Sequence, residues 1–471
     1  MRLSQLDGLH VGIWGAGREG LAALAALTRR GGATSVLVYS EDPEDPGLEQ
    51  ARVAGATIAA GAQSWRELTR CEVVIRSPGV SLYRDEVAEL RALEIPLTTG
   101  TNLWFSENEH VDTIAVTGTK GKSTTAALIA HLLRAAGEEA LLAGNVGRPL
   151  LDRLGDGGAG TAWVLELSSF QIADLEHAPR IGVLLNLFDE HLDWHGDADR
   201  YHADKLRLFA LQPPCTAVLC GADAGVVGLA RPAGETVWYG TEQTLHVRDG
   251  AVWDGARRLK PPLRTPLLGA HNLLNLCAAL TVLRLRGHVA GLAPGALESF
   301  KPLPHRLQLV GEHEGVRFVD DSISTTAQST IAALAAFPGT PVALIAGGHD
   351  RGQDYTELAR EIRAHGGVRA VAALPVTGPR LLAALQAAGA DGPDLREARD
   401  LPDALAFARA ALGGAGVVLL SPAAPSFGAY RDFEERGEHF ATLVAASGAS
   451  GKSGRRFASE KRAWPGRREP E

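Results

Sequence analysis

Cysteine is scarce in this 471-residue chain: there are four, at Cys71, Cys215, Cys220 and Cys277, and none has the CxxC spacing of a zinc site. A disulfide framework is excluded with them, so the chain reads as a protein of a reducing, cytoplasmic compartment. Long apolar runs are missing as well. No segment reaches the roughly 18 residues of a membrane-spanning helix, and the stretch Met1 to Asp7 lacks the apolar core of a signal peptide. No membrane insertion is expected. Excess positive charge is also absent: 47 Lys and Arg against 55 Asp and Glu leave a net charge of −8, which argues against a nucleic-acid partner. Internal repeats and long low-complexity tracts are not found within the body of the chain.

What is present is strand–helix alternation almost throughout, punctuated by Gly and Pro, which predicts an α/β fold with mostly parallel sheets. The length suits about three domains of ~150 residues. Thr98 to His110 is polar and turn-prone, so a first domain is expected over residues 1–102. Lys301-Pro302-Leu303-Pro304 marks a hinge, giving a central domain over 103–302 and a third over 303–447. Residues 448–471, rich in Gly, Ser, Arg and Lys, read as a disordered basic tail.

The most specific motif follows the apolar run Ile114-Ala115-Val116. Thr117-Gly118-Thr119-Lys120-Gly121-Lys122-Ser123-Thr124 is a glycine-rich turn that opens a helical Ala/Leu pattern. Backbone N–H groups of such a turn converge on an anion, and the helix N-terminus adds partial positive charge. Lys122 would reach the β- and γ-phosphates of ATP, with a hydroxyl of Ser123 or Thr124 on Mg²⁺. The spacing is compressed, since the general phosphate loop has glycine where this chain has Val116. The bland alternative is a tight strand–helix turn with a solvated lysine.

Near the start, the strand-like His10-Val11-Gly12-Ile13-Trp14 precedes Gly15-Ala16-Gly17-Arg18-Glu19-Gly20, a helix from Leu21 to Arg30, and a strand ending at Ser40-Glu41. That is a Rossmann-like fingerprint. Taken alone it suggests NAD; the weaker alternative is a fold that binds another diphosphate or only packs closely at its glycines. Arg76-Ser77-Pro78-Gly79-Val80 follows a further strand and would face the same ligand. Beyond the phosphate loop, Glu166 ends the strand Trp163-Val164-Leu165, a suitable place for a carboxylate on Mg²⁺. Asp189-Glu190-His191-Leu192-Asp193-Trp194-His195 forms a second polar cluster, followed by a helix with Lys205 one turn beyond Tyr201. His191-x-Asp193-x-His195 alone also has the spacing of a metallohydrolase site.

Taken in order, these motifs resemble the Mur ligases, and within them the glutamate-adding ligases. The likeness spans residues 10 to 447 and includes Gly144-Asn145-Val146-Gly147, Leu165-Glu166-Leu167-Ser168-Ser169-Phe170-Gln171 and Asp189-Glu190-His191-Leu192-Asp193. It continues through Tyr201-x-x-x-Lys205, His271-Asn272-Leu273-Leu274-Asn275, Pro304-His305-Arg306, Asp321-Ser322 and Leu420-Ser421-Pro422-Ala423.

The resemblance implies three α/β domains: a Rossmann-like UDP-binding domain, a central phosphate-loop ATPase domain and a mobile Rossmann-like C-terminal domain. It implies ADP-forming ligation of D-glutamate to UDP-N-acetylmuramoyl-L-alanine through an acyl phosphate, in peptidoglycan precursor synthesis, by a monomer. Gly15, Ala16, Gly17, Gly20, Ser40, Ser77, Pro78, Gly79, Asn145 and Ser168 would bind the UDP-substrate. Gly118 to Thr124, Asn272, Asn275, Arg306 and Asp321 would bind ATP. Lys122, Glu166, His191 and Lys205 would be catalytic. Ser123, Glu166, His191 and a carbamylated Lys205 would hold two Mg²⁺ ions. Capping is the plain alternative for the two asparagines, and a surface ion pair for Arg306.

The departures fall in the amino-acid pocket. Where D-glutamate ligases have Asp-Ser-Lys-Ala-Thr, this chain has Asp321-Ser322-Ile323-Ser324-Thr325, and Arg351 stands where a second lysine is usual. Thr325, Arg351, Ser426 and Phe433 match the glutamate contacts, and a planar guanidinium can grip a carboxylate bidentately. An L-glutamate-adding subgroup resembles this chain in that stretch and in Trp14-Gly15-Ala16-Gly17-Arg18-Glu19-Gly20, which makes L-glutamate the alternative. From other classes, an NAD-dependent dehydrogenase accounts only for the first 45 residues. A non-catalytic nucleotide-binding regulator leaves Glu166, His191 and Lys205 without a role.

Overall fold

The alternation of the sequence becomes three mostly parallel sheets in a computed structural model that describes residues 1–259, 269–288, 295–389 and 392–449. Nearly all of the expected basic tail lies outside the described residues, and the helix Phe433–Ala449 runs two residues past its expected start. The chain forms two compact units, Met1–Lys301 and the part from Pro302 on.

The first sheet is all parallel, in spatial order Thr57–Ala60, Ser35–Ser40, His10–Trp14, Val73–Arg76, Leu97–Thr98. Chain order reverses between His10–Trp14 and Val73–Arg76, and ligands of such sheets bind where the strand ends open at that reversal. Gly15–Gly20 and Ser77–Gly79 both lie there. The helix after the glycine turn starts at Arg18, three residues before the expected Leu21. Glycine is required at position 20, because a Cβ there would sit 1.9 Å from the Gly15 carbonyl oxygen.

The polar stretch after Thr98 is a helix, Gly100–Glu107, and not the turn expected of it. Its polar residues bond within the unit. Thr99 caps the helix by accepting from the Asn102 N–H (3.1 Å). The Asn102 side chain donates to the Asp174 carbonyl (2.9 Å) and accepts from the Glu176 N–H (3.0 Å). Leu103, Trp104 and Phe105 are buried, with Trp104 against Trp163 of the second sheet at 4.9 Å between ring centroids. One apolar cluster therefore runs from Ile13 and Val38 through Trp104 to Leu165 and Leu219.

The second sheet is again parallel, in the order Thr236–Tyr239, Thr216–Cys220, Ile181–Leu184, Asp112–Thr117, Ala162–Glu166, Ala140–Gly144. The phosphate-loop strand Asp112–Thr117 is central, and Val116 pairs with Glu166 while Thr117 pairs with Leu184. The segments after these three strands thus leave the sheet side by side. A small antiparallel sheet, Leu245–Arg248, Ala251–Asp254 and Arg257–Arg258, follows.

In the second unit the order is Gln308–His313, Val316–Asp320, Gly416–Leu420, Val342–Ala346, Val368–Ala373, Asp394–Glu397; the first pair is antiparallel and the rest parallel. Among the described residues no helix is long and apolar enough to cross a membrane. Because Trp104 joins the packing of two sheets, Trp104→Ala should lower unfolding free energy by about 3–5 kcal/mol. Chemical denaturation followed by circular dichroism checks this.

Candidate active site

The phosphate loop connects the strand Asp112–Thr117 to the helix Lys122–Ala135. Gly121 precedes that helix at φ +86°, and a Cβ there would meet Asn275 Oδ1 at 2.8 Å, so glycine serves both the turn and the packing. Lys122 Nζ donates to the carbonyls of Gly118 (3.1 Å) and Thr119 (2.9 Å). Thr119 Oγ1 donates to the Phe188 carbonyl (3.0 Å) and bonds Tyr201 Oη (2.9 Å). The Lys120 N–H donates to Asn186 Oδ1 (2.7 Å), and its ammonium pairs with Glu190. Ser123 is buried and Thr124 half-buried in the first helical turn.

Asn272 and Asn275 lie on the helix Ala270–Leu285, whose cap position is Gly269. They are not caps. Asn275 Nδ2 donates to Asn272 Oδ1 (3.0 Å), and the pair packs beside Gly121.

Glu166 is 2% exposed at the end of its strand. Oε1 accepts from Asn145 Nδ2 (3.0 Å), whereas Oε2 is buried with no hydrogen-bond partner. An orphaned carboxylate oxygen beside a phosphate loop fits a cation. His191 begins the short helix Leu192–His195 at φ +57°. Although its side chain is about half exposed, partial desolvation, with Lys122, Lys120 and Lys205 nearby, lowers its pKa against the opposing Glu190, which favours the neutral imidazole a metal requires. Lys205 is 1% exposed on the helix Ala198–Leu206, and its Nζ donates to the Gly118 carbonyl (3.1 Å). Burial first, and then Lys122, push the amine's pKa well below its ordinary value. Among the described residues no three His, Cys, Asp or Glu side chains cluster as a metal site; the expected set has two such residues plus Ser123 and Lys205. The metallohydrolase spacing does not converge: His191 and Asp193 are exposed, while His195 is fully buried against Asp204 and Ser169.

A cleft of about 200 Å³ is lined by Ser77, Pro78, Gly79, Gly144, Asn145, Gly147, Ser168, Phe170 and Gln171, together with Arg18, Glu19 and Pro149. Five expected UDP-substrate residues meet there: Ser77, Pro78, Gly79, Asn145 and Ser168. Gly15, Ala16, Gly17, Gly20 and Ser40 are outside its lining. Ser40 donates to Asp45 (3.0 Å), and Glu41 is held bidentately by Arg84 (2.8 and 2.9 Å). Arg18 and Glu19 were not singled out in the sequence, although they occupy two of the three variable positions of the glycine turn. Phe170 and Gln171 likewise sit inside a quoted motif.

In the second unit the loops after three adjacent strands gather on one edge. Asp321 follows Val316–Asp320 and accepts from Ser324 Oγ (2.6 Å), Ser421 Oγ (2.8 Å) and the Leu307 N–H (3.2 Å). Burial pushes its carboxyl up to about 6. Arg306 adds positive charge near it. The Gly347–Gly352 loop is tied to the Ser421–Ser426 loop by Gly347 N–H to Pro422 (2.7 Å) and His349 N–H to Pro425 (2.8 Å). Arg351 is exposed, its guanidinium 5.4 Å from the Phe427 ring, and Ser426 is buried beside it in sequence. Thr325 is half-buried ahead of the helix Ala327–Leu334, and the Phe433 carbonyl accepts from Ser322 Oγ (2.8 Å). Sequence reasoning missed Arg436. It is 1% exposed and donates to Ser322 Oγ (3.0 Å) and to the carbonyls of Ser322 (2.8 Å) and Ala424 (3.2 Å), joining two of these loops.

Known proteins are similar to this chain in sequence and in fold. Residues 116–283 match the Mur ligase middle domain and residues 305–424 the Mur ligase glutamate ligase domain. A UDP-N-acetylmuramoyl-L-alanine–L-glutamate ligase of Xanthomonas euvesicatoria is 45% identical over 460 residues, covering 94% of this chain and 97% of that protein. The chain belongs to the Mur ligase family. Ligases of the same name from Micromonospora (42% identical, 94% of this chain, 98% of that one) and Xylella fastidiosa (42%, 94% and 97%) are also similar to it. Among solved structures, the UDP-N-acetylmuramate–alanine ligase of Thermotoga maritima has the same fold, with a TM-score of 0.58 at 20% identity over 94% of this chain and all of that one. The MurF ligase of Thermotoga maritima, solved with ADP, gives 0.57 at 19% over 95% and 97%.

Glu19 of this Mur ligase yields a pH test. Burial pushes its carboxyl up to about 7 from 4.5, against Arg18 and helped by Asp152. Well below pH 4.5 the folded and unfolded chains are protonated alike; through 4.5 the unfolded chain ionises first, so stability falls as pH rises toward about 7. Glu19→Gln removes that loss. Its Tm should exceed the parent's at pH 8, with the gain shrinking towards pH 5, as scanning calorimetry can show.

Proposed function

We propose that the chain is an ADP-forming amide ligase that joins glutamate to UDP-N-acetylmuramoyl-L-alanine in peptidoglycan precursor synthesis. The observation that carries this reading is the 45% identity across 94% of the chain to a ligase of that name. The phosphate loop, Glu166, His191 and Lys205 leaving one edge of a single sheet support it. We assign UDP-substrate binding to residues 1–102, ATP binding to 103–302 and amino-acid binding to 303–447.

A free carboxylate has too poor a leaving group for amide formation. It therefore attacks the γ-phosphorus of ATP, and ADP leaves. The amine of glutamate adds to the resulting acyl phosphate, and the tetrahedral intermediate expels phosphate. Charge accumulates on the transferred phosphoryl group, so Lys122 and the loop N–H groups act where it grows. Mg²⁺ bound by Ser123, Glu166, His191 and Lys205 would neutralise the phosphate oxygens. Lys205 suits this role as a carbamate. A buried neutral amine adds to CO₂, forms an N–C bond and releases a proton, leaving a carboxylate-like ligand in place of a cation. Asn272 and Asn275 are assigned to the adenine side of ATP, Arg306 to its γ-phosphate and Asp321 to its ribose, as the resemblance implies. Four buried, unpaired cysteines fit a reducing cytoplasm, and the reading is of a monomer.

For the amino acid, the sequence expectation of D-glutamate gives way here to its alternative. The relatives at 41–45% identity carry L-glutamate in their names, and Ile323 removes the lysine expected of the D-specific pocket. We assign the two glutamate carboxylates to Arg351 and to the group Thr325, Ser426 and Phe433. Leaving either buried without a partner would be costly.

Phosphate release with UDP-N-acetylmuramoyl-L-alanine, ATP and each glutamate isomer tests the reading. Turnover is expected with L-glutamate at least about tenfold above D-glutamate, a difference of roughly 1.4 kcal/mol. Arg351→Ala should raise KM for glutamate with KM for ATP unchanged; no turnover with either isomer would refute the ligase. Separately, Lys205→Ala should lose roughly 10²–10³ in kcat and regain part of it with added acetate. Full activity of that variant would exclude the carbamate.

A further inference from the structure

A connected set of side chains leads from the loop Ser77–Gly79 to the helix of Lys205, outside the residues assigned so far. Trp194 Nε1 donates to the Pro78 carbonyl (3.1 Å), and Ser81 Oγ donates to the Trp194 carbonyl (2.5 Å). The indole stacks on Phe170, with ring centroids 4.7 Å apart, and meets Tyr83 edge-on at 6.0 Å. His195, next in sequence, bonds Asp204 Oδ2 through Nδ1 (2.6 Å) and Ser169 Oγ through Nε2 (3.0 Å). Tyr83 Oη donates to both Asp204 oxygens (2.8 and 2.9 Å). Arg76, fully buried, lies 5.8 Å from the Trp194 ring, donates to the Val80 carbonyl and pairs with Asp174 (2.8 Å).

Ser169, His195 and Asp204 have the connectivity of a nucleophile–base–acid triad. Burial decides against that role: Ser169 is 2% exposed and His195 0%, so no substrate carbonyl can reach the hydroxyl. What remains is a buried polar core of Ser169, His195 and Asp204, in which both His195 nitrogens and both Asp204 oxygens are hydrogen-bonded, and that satisfaction makes it rigid. It binds three separate places together: the loop after Val73–Arg76, the helix start at Ser169 beside Ser168, and the helix on which Asp204 precedes Lys205.

We propose that Trp194, backed by His195 and Asp204, is a positioning residue that holds the loop Ser77–Gly79 in the shape that accepts the UDP-linked substrate and ties that loop to the helix of Lys205. The proposal rests on the ligase reading above. The indole N–H acts on the Pro78 carbonyl, so its loss should weaken binding of the UDP-substrate and spare ATP.

Trp194→Phe keeps an aromatic ring against Phe170 and Tyr83 while removing the donor and part of the ring surface, so a drop in Tm measures the packing loss separately. With the full chain, KM for UDP-N-acetylmuramoyl-L-alanine should rise about three- to tenfold, the range of one hydrogen bond. KM for ATP should stay within about twofold. Ser169→Ala should keep kcat within about threefold of the parent, whereas a loss of about a thousandfold or more would mark a nucleophile and overturn the positioning role. Hydrogen exchange gives a readout independent of turnover: the Gly79 and Val80 amides should exchange faster in Trp194→Phe than in the parent. An inactive parent would sink the ligase reading alone. Unchanged loop exchange, or equal changes in both KM values, would sink the positioning role.

Discussion

Two amines meet on one carbonyl. Lys122 and Lys205, from different helices, each donate to the Gly118 oxygen at 3.1 Å, and Lys120 stands one residue behind the glycine that opens the helix. Like charges this close disfavour one another, and in a buried site the cost is greater than in water. The site resolves the conflict in two ways: Glu190 pairs with Lys120, and burial drives Lys205 toward its neutral form. Such concentrated positive charge has a use where negative charge arrives, as at a triphosphate. The lone Glu166 oxygen on the neighbouring strand and His191, whose pKa burial and these lysines lower, belong to the same balance.

The positions of these groups follow from strand pairing. Parallel strands deliver their following segments to one edge, so the phosphate loop, Glu166 and the segment leading to His191 converge although they are far apart in sequence. The same rule gathers Asp321, the Gly347–Gly352 loop and the Ser421–Ser426 loop in the second unit. Between the first two sheets the binding agent is apolar. The helix Gly100–Glu107 fills the space with Trp104, and the sheets share one core. A cleft lined from both sheets is possible because neither is free to drift from the other.

Much of the site was legible because its information is local. A strand followed by Gly-Thr-Lys-Gly-Lys-Ser-Thr predicts its own loop and helix, and the observed strand ends at Thr117 with the helix starting at Lys122. The glycine turn after Trp14 and the strand end at Glu166 were equally local. The helix over Gly100–Glu107 was misread because Thr99, Thr101 and Asn102 look solvent-facing when their partners are unknown. Those partners lie as far off as Asp174 and Glu176.

The sequence by itself determined the alternation of strands and helices, the anion-binding loop and the chemical types of the candidate ligands, since each depends on residues within a few positions of one another. Only the tertiary structure decided their states and neighbours. Lys205 is marked in the sequence only by resemblance; its lowered pKa arises when folding buries it and brings Lys122 and Lys120 around it. Glu19 is an unremarkable helix-start acid until its cleft forms. Trp194 meets the Pro78 carbonyl across 116 positions. Burial and long-range hydrogen bonds exist only once separate segments are packed together, so no reading of neighbouring residues could supply them.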